Sequence, residues 1–105
     1  MSFTIAFAPQ AKADLLQLFQ YLLDRAKTVE DLDLAERAIA AIEMAAQVHL
    51  SRTPFIYRKA THGGGLRREL IVPFGASGYV LLYEIVGPAR VVVLAVRHQL
   101  EQDYH

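Results

Sequence analysis

GLRRELIVPFGASGYVLLYEIVGPARVVVLAVRH, residues Gly65 to His98, contains three apolar runs separated by two turn signals. Leu66 to Phe74, Gly78 to Val86 and Ala89 to His98 are rich in the β-branched, aliphatic and aromatic side chains that suit strands. Gly75-Ala76-Ser77-Gly78 and Gly87-Pro88 supply turn residues between them. Connections this short join neighbours running in opposite directions, so the stretch predicts a three-stranded antiparallel meander. Its last two strands are apolar on both sides. Tyr79, Leu81, Tyr83 and Ile85 alternate with Val80, Leu82 and Val86, while Val91, Val93 and Ala95 alternate with Val92, Leu94 and Val96. An antiparallel sheet with one face in water normally carries polar residues there. The pattern therefore predicts cover on both faces, one layer from this chain and the other from a partner. A distinct protein is the first candidate for that partner, a second copy of the chain the next.

Upstream, Ser2 to Ala8 alternates with Phe3, Ile5 and Phe7 on one side, as in a short strand. Pro9 suits the first turn of a helix, where its missing N–H costs nothing. Leu15, Leu16, Phe19, Leu22, Leu23 and Ala26 then mark one apolar face of a helix from about Pro9 to Lys27. Thr28 can cap a second helix, with Glu30 and Asp31 in its first turn to match the dipole. Its inward stripe is Ala35, Ile39, Ile42, Ala46 and Leu50, and further alanines (Ala38, Ala40, Ala41, Ala45) let the two helices approach closely as a hairpin. Pro54 stops the second helix. Phe55 to Thr61 is extended, either a strand or a connection, and His62-Gly63-Gly64-Gly65 is a turn. Residues 1–105 thus form a single α+β domain. An N-terminal strand, an α-helical hairpin and a three-stranded antiparallel meander build one sheet with the helices on one face.

Composition narrows the function. Hydrophobic residues make up 53% of the 105, rich enough to imply a covered apolar surface. Without cysteine there is neither a disulfide scaffold nor a thiolate metal site. Met1 to Ser51 carries four basic and seven acidic residues, and Arg52 to His105 seven basic and four acidic. A net charge of zero argues against a dedicated nucleic-acid binder, while the basic second half suits an acidic partner. The longest apolar run, Val91 to Val96, falls far short of the ~20 residues a membrane helix needs. MSFTIAFAPQ lacks the basic start and cleavage site of a secretory signal, so the cytoplasm is the expected compartment. Gly63 to Gly65 is not followed by the Lys-Ser/Thr of a phosphate-binding loop. His98, Asp103 and His105 match no standard ligand spacing, so neither metal nor cofactor is expected. Asp14, Asp24 and Glu43 read as solvated helix positions rather than a catalytic pair.

Several motifs recur in a recognisable order: Ala13-Asp14-Leu15 on the first helix, a proline after the second, Gly65-Leu66-Arg67, Gly78-Tyr79 with Tyr83, and a hydrophobic strand ending in Arg97-His98. Together with the closing HQLEQDY, this set resembles the RelE/ParE superfamily of bacterial toxins, ParE-like branch, along the whole chain. The resemblance implies the toxin half of a type II toxin–antitoxin module, held in a hetero-oligomer by a small cognate antitoxin, ParD-like or similar. That antitoxin would supply the missing cover for the sheet.

Two activities occur on this fold, and fold does not choose between them. RelE-like members cut messenger RNA in the ribosome, and ParE-like members inhibit DNA gyrase. RNA cleavage needs stabilisation of negative charge on the reacting phosphate and proton transfer at its oxygens. RelE-like toxins place lysines on the strand after G-L-R and an arginine after G-Y. Here Ile71 and Pro73 stand at the first positions and Val80 at the second. Only His98 and Tyr104 remain for proton chemistry in an RNase. The resemblance therefore points to a gyrase inhibitor that acts by binding, ahead of a ribosome-dependent endoribonuclease or a degenerate member that only binds its antitoxin.

The residues expected to meet the target or the antitoxin are Arg67, Arg68, Arg97, His98 and Tyr104. Alternation sends Arg97 and His98 to opposite faces, and puts Arg68 on the face of Leu66, Leu70 and Val72. Arg67 or Arg68 is also placed to pair with Glu69. The plainer account of Arg97 and His98 is that polar residues end a strand, the imidazole anchoring a turn through a hydrogen bond.

Overall fold

The computed structural model describes residues 2–61 and 65–101. Strand β1 (Thr4–Phe7) leads into helices α1 (Pro9–Arg25) and α2 (Val29–Ala45), and a five-residue π-helical turn, Ala46–Leu50, prolongs α2. Strands β2 (Arg67–Phe74), β3 (Ser77–Ile85) and β4 (Arg90–His98) follow. The four strands form one sheet in the order β1-β4-β3-β2, with the meander antiparallel and β1 parallel to β4. A parallel neighbour needs a long crossover, and here the α-hairpin and the meander lie between the paired strands.

Local chemistry sets the element ends. Thr28 Oγ1 accepts the Asp31 N–H at 3.1 Å, and the Asp31 carboxylate accepts the Lys27 N–H at 2.9 Å, so α2 starts on a reciprocal cap. Gly75 has φ +60° and Ala76 does not share the positive sign, which matches a two-residue hairpin with glycine first. Segment 55–61 is a connection that touches the sheet at one bridge, Lys59 opposite Arg68. The Ala60 N–H donates to Arg67 O and the Glu69 N–H to Arg58 O, both at 2.9 Å. This short strip covers part of the open edge of β2. Pro73, lacking an N–H, stands further along the same strand.

The core lies between the α-hairpin and one face of the sheet. Ala11, Ala38, Ile42, Ala46, Leu50, Leu81, Tyr83, Val91 and Val93 are fully buried there. Of the alanines expected to let the two helices approach each other, Ala38 is buried, Ala41 and Ala45 are half-buried and Ala40 is exposed. Ala38 rather than Ile39 completes the buried stripe of α2, and Ile39 is half-buried. The buried face of α1 is also turned from the expected one. Ala11, Leu15, Leu18 and Leu22 point inward, while Leu16 is exposed. This rotation buries Asp14, which the sequence had suggested was solvated.

Strand β4 carries a bulge. Tyr83 pairs with Val93 and Leu82 with Ala95, leaving Leu94 without an opposite number. The inward set therefore shifts from Val91 and Val93 to Val96. The outer face also differs from the expectation of bare apolar surface. Val80 is 1% exposed, Ala95 5% and Leu82 8% within the single chain. Arg97 on β4 reaches Glu69 on β2 at 3.6 Å, so its side chain crosses β3, the strand carrying Val80 and Leu82. Long side chains can shield apolar surface in this way. Ile71 of β2 remains exposed on this face, and the larger exposed apolar side chains lie on the helices, at Leu16, Val29 and Met44, and on loops at Phe55, Ile56 and Leu66.

Tyr83 ties the connection after α2 to the sheet: its hydroxyl donates to Pro54 O inside the core. Burial, opposed by the Arg68 charge and assisted by Tyr57, pushes the phenol from 10.0 up to about 12. The unfolded chain thus loses this proton first as pH rises. The contribution is full below pH 10 and is lost between there and about pH 12, on the order of 2 kcal/mol. Tyr83→Phe should remove that alkaline loss and cost about 1–2 kcal/mol at neutral pH, because Pro54 O is left unpaired. Denaturant unfolding at a series of pH values measures both effects. An unchanged alkaline slope in the variant would exclude Tyr83 as its source.

Candidate functional site

The C-terminal end of β4 forms the wall of an open cleft of about 400 Å³ against α1. Asp14, Leu18 and Tyr21 of α1 face Tyr79, His98 and Glu101 across it. Asp14 is structural here. The ladder onto β4 runs as far as the Ala8 N–H, which donates to Val93 O at 2.8 Å, and further along the Asp14 carboxylate accepts the Val96 N–H at 2.9 Å. Gln10 Nε2 donates to its other oxygen at 2.8 Å, holding the carboxylate in place. The helix thereby fixes the direction in which β4 delivers Arg97 and His98.

His98 lies on the inner face, edge-on to the Tyr79 ring with centroids 5.7 Å apart. Its Nδ1 receives the Leu100 N–H at 3.1 Å. An amide N–H can only donate, so Nδ1 is the acceptor and the neutral ring carries its proton on Nε2, 3.0 Å from Ser77 Oγ. The His98 N–H donates to Glu101 Oε1 at 3.0 Å and closes the turn. Burial raises the Tyr79 phenol pKa above its ordinary 10.0.

Arg97 lies on the outer face. Its guanidinium pairs with Glu69 and donates to the carbonyls of His98, Gln99 and Glu101. The Glu69 carboxylate also takes Arg58 Nε at 2.9 Å. Glu69 is thus held by Arg58 and Arg97 rather than by Arg67 or Arg68, because neighbours along one strand do not meet across it. Arg67 instead faces its register partner Glu84 at 3.9 Å, and Arg68 donates to Tyr57 O at 2.7 Å. Both lie towards the far end of the sheet. His98 is in register with Tyr79 and Val72, five residues along β2 from Arg67, roughly 16 Å of strand. Arg97 and His98 share the cleft end, and Arg67 and Arg68 do not join them. Tyr104, and the Asp103 and His105 weighed as ligands, lie outside the described residues. Among the described residues no cluster suits a metal ion.

Sequence reasoning missed Asp14, Ser77 and Arg58 as organisers of this end. Only Asp14 left a trace, as a carboxylate one helical turn beyond Gln10, between the buried Ala11 and the inward Leu18. The positions suited to phosphate-holding cations are neighbours across the sheet. Ile71 pairs with Val80 and Val80 with Arg97, while Pro73 pairs with Gly78. Ile71 is partly exposed and Val80 buried, so two of the three side chains in that row are apolar.

Known proteins match this arrangement over nearly the full chain. Residues 5–103 fit the family described as ParE toxin of type II toxin-antitoxin system, parDE. "Toxin RelE3" of Caulobacter vibrioides is 36% identical over 99 residues, covering 94% of this chain and 97% of that protein. "Toxin RelE1" of the same organism is 34% identical over 102 residues, covering 97% and 99%. A solved structure titled "Chromosomal ParDE TA system from P. aeruginosa" superimposes with a TM-score of 0.70 at 11% identity, covering 91% of this chain and 95% of that one. At that identity the superposition speaks for the fold, whereas the family match and the two relatives carry the descent. The order of motifs, the sheet topology and these matches agree: the chain belongs to the ParE toxin family of the RelE/ParE superfamily, the toxins of type II toxin–antitoxin systems.

Proposed function

We propose that this toxin acts by binding DNA gyrase, without chemistry of its own, and that a ParD-like antitoxin neutralises it in the cytoplasm. The observation that carries the non-catalytic part is the row Ile71, Val80, Arg97. A scissile phosphate needs fixed positive charge around it, usually the largest stabilising contribution to such a reaction. Two members of the row are apolar, and the guanidinium of the third is engaged by the Glu69 carboxylate. His98, the proton carrier an RNase reading would use here, has both ring nitrogens in hydrogen bonds.

Charge and exposure support a place for the antitoxin. Arg67 is exposed on the outer face near Leu66, and the second half of the chain is the basic half. Arg67 and Arg68 suit an acidic antitoxin segment, and the β4 end carrying Arg97 and His98 suits the target, with Tyr104 a further expected contact. Purified toxin added to gyrase and relaxed plasmid should block supercoiling and leave cleaved DNA, and equimolar antitoxin should restore the reaction. Normal supercoiling at saturating toxin would overturn the gyrase assignment.

A further inference from the structure

We infer that His98 is a proton-operated clasp on the C-terminal turn: its neutral imidazole holds Leu100, and protonating the ring releases it. The geometry leaves Nδ1 a single role. It accepts from the Leu100 amide at 3.1 Å, while Nε2 meets Ser77 Oγ at 3.0 Å. A protonated ring carries N–H on both nitrogens, so Nδ1 would present a donor to a donor. Ser77 Oγ accepts from Nε2 in either state, which keeps the ring anchored while Leu100 lets go.

Charged and titratable groups surround the ring. Asp14 and Tyr21 of α1 and Glu101 of the turn line the cleft with it, and Tyr79 of β3 lies edge-on. The guanidinium of neighbouring Arg97 lies on the opposite face of the sheet, paired with Glu69. Across the sheet, β2 places uncharged Val72 in register with Tyr79, and Phe74 lies against the Tyr79 ring. The Leu100 N–H is the group hydrogen-bonded directly to Nδ1, so the closed turn belongs to the neutral ring. The turn is held while Nδ1 is bare and loosens once Nδ1 carries a proton, so its integrity follows the protonation of this one ring. Other turn bonds, Glu101 N–H to His98 O and Arg97 to the carbonyls, do not use the ring. The change is therefore local to Gln99 and Leu100. Leu100 is already 79% exposed, so its release uncovers no core.

The test uses the isolated full chain and needs no target. Long-range ¹⁵N–¹H spectra of the histidine rings at pH 8 should show His98 as the Nε2–H form. Between pH 8 and 5 the Leu100 amide should lose about five- to tenfold in exchange protection, corrected for intrinsic rates, while Val93 and Leu81 stay protected. His98→Asn offers a non-titrating oxygen near the Nδ1 position, and Leu100 protection in it should not vary with pH. An Nδ1–H form at pH 8, Leu100 protection unchanged across the titration, or the same pH dependence in His98→Asn would each overturn the inference. If the asparagine variant does not fold, the wild-type titration alone decides.

Discussion

Replacing Gly78 with alanine is expected to lower the stability of the fold by about 2–4 kcal/mol. The glycine of the Gly78-Tyr79 pair has no positive φ, so backbone freedom is not the reason. Space is. A Cβ at position 78 would sit 2.4 Å from Val72 O and 3.1 Å from Pro73 Cα, both main-chain atoms that cannot swing aside. Gly78 O also receives the Gln99 N–H at 2.8 Å, so a shift of this residue disturbs the C-terminal turn as well as the β2–β3 pairing. Gly75 is the control. Its φ of +60° strains any side chain, but nothing lies within 4 Å of its Cβ position. Gly75→Ala should cost about 1 kcal/mol, clearly less than Gly78→Ala. Denaturant midpoints for both variants give the comparison. Equal effects would mean that the approach of β2 to Gly78 is not tight.

The second large effect is expected at Asp14. Asp14→Ala removes the acceptor of the Val96 N–H and leaves a buried amide without its partner, a loss of about 2–3 kcal/mol. Asp14→Asn keeps an oxygen that can face Val96 and should cost roughly half as much. Thermal unfolding of the two variants checks the order. Because this carboxylate steers the end of β4, Asp14→Ala should also weaken target binding. If the alanine variant is as stable as the parent, the helix-to-strand link is not what holds this edge.

How much of this was legible in the chain differs from element to element. The meander was, because Gly75 and Gly87 punctuate three apolar runs and hairpin connections leave one antiparallel solution. The α-hairpin was too, since Thr28 and Pro54 mark its boundaries chemically. The parallel pairing of β1 with β4 was not, because nothing in Thr4 to Phe7 says which open edge it will choose. The bulge at Leu94 was equally silent. Val91 to Val96 is apolar throughout, so a one-residue shift of faces leaves no mark in the pattern.

The misreadings share a cause. The spacing of the leucines and Phe19 puts Asp14 in solvent, whereas small Ala11 sets the inward face. Taken strand by strand, the apolar pattern leaves the outer face bare within this chain. Its cover comes from Glu69 and Arg97, residues distant in sequence whose meeting only the register reveals. At the candidate site, the apolar character of Ile71 and Val80 was readable from the chain. That these two and Arg97 occupy one row across the sheet was not.

The claim on which the rest depends is that this family member works by docking and does not cut RNA. Mapping transcript 5′ ends genome-wide after inducing the toxin without its antitoxin tests it most directly. The account predicts growth arrest with no ends phased to codons, in both the parent and His98→Ala. Codon-phased ends in the parent that disappear in His98→Ala would contradict it and make the cleft a ribonuclease site.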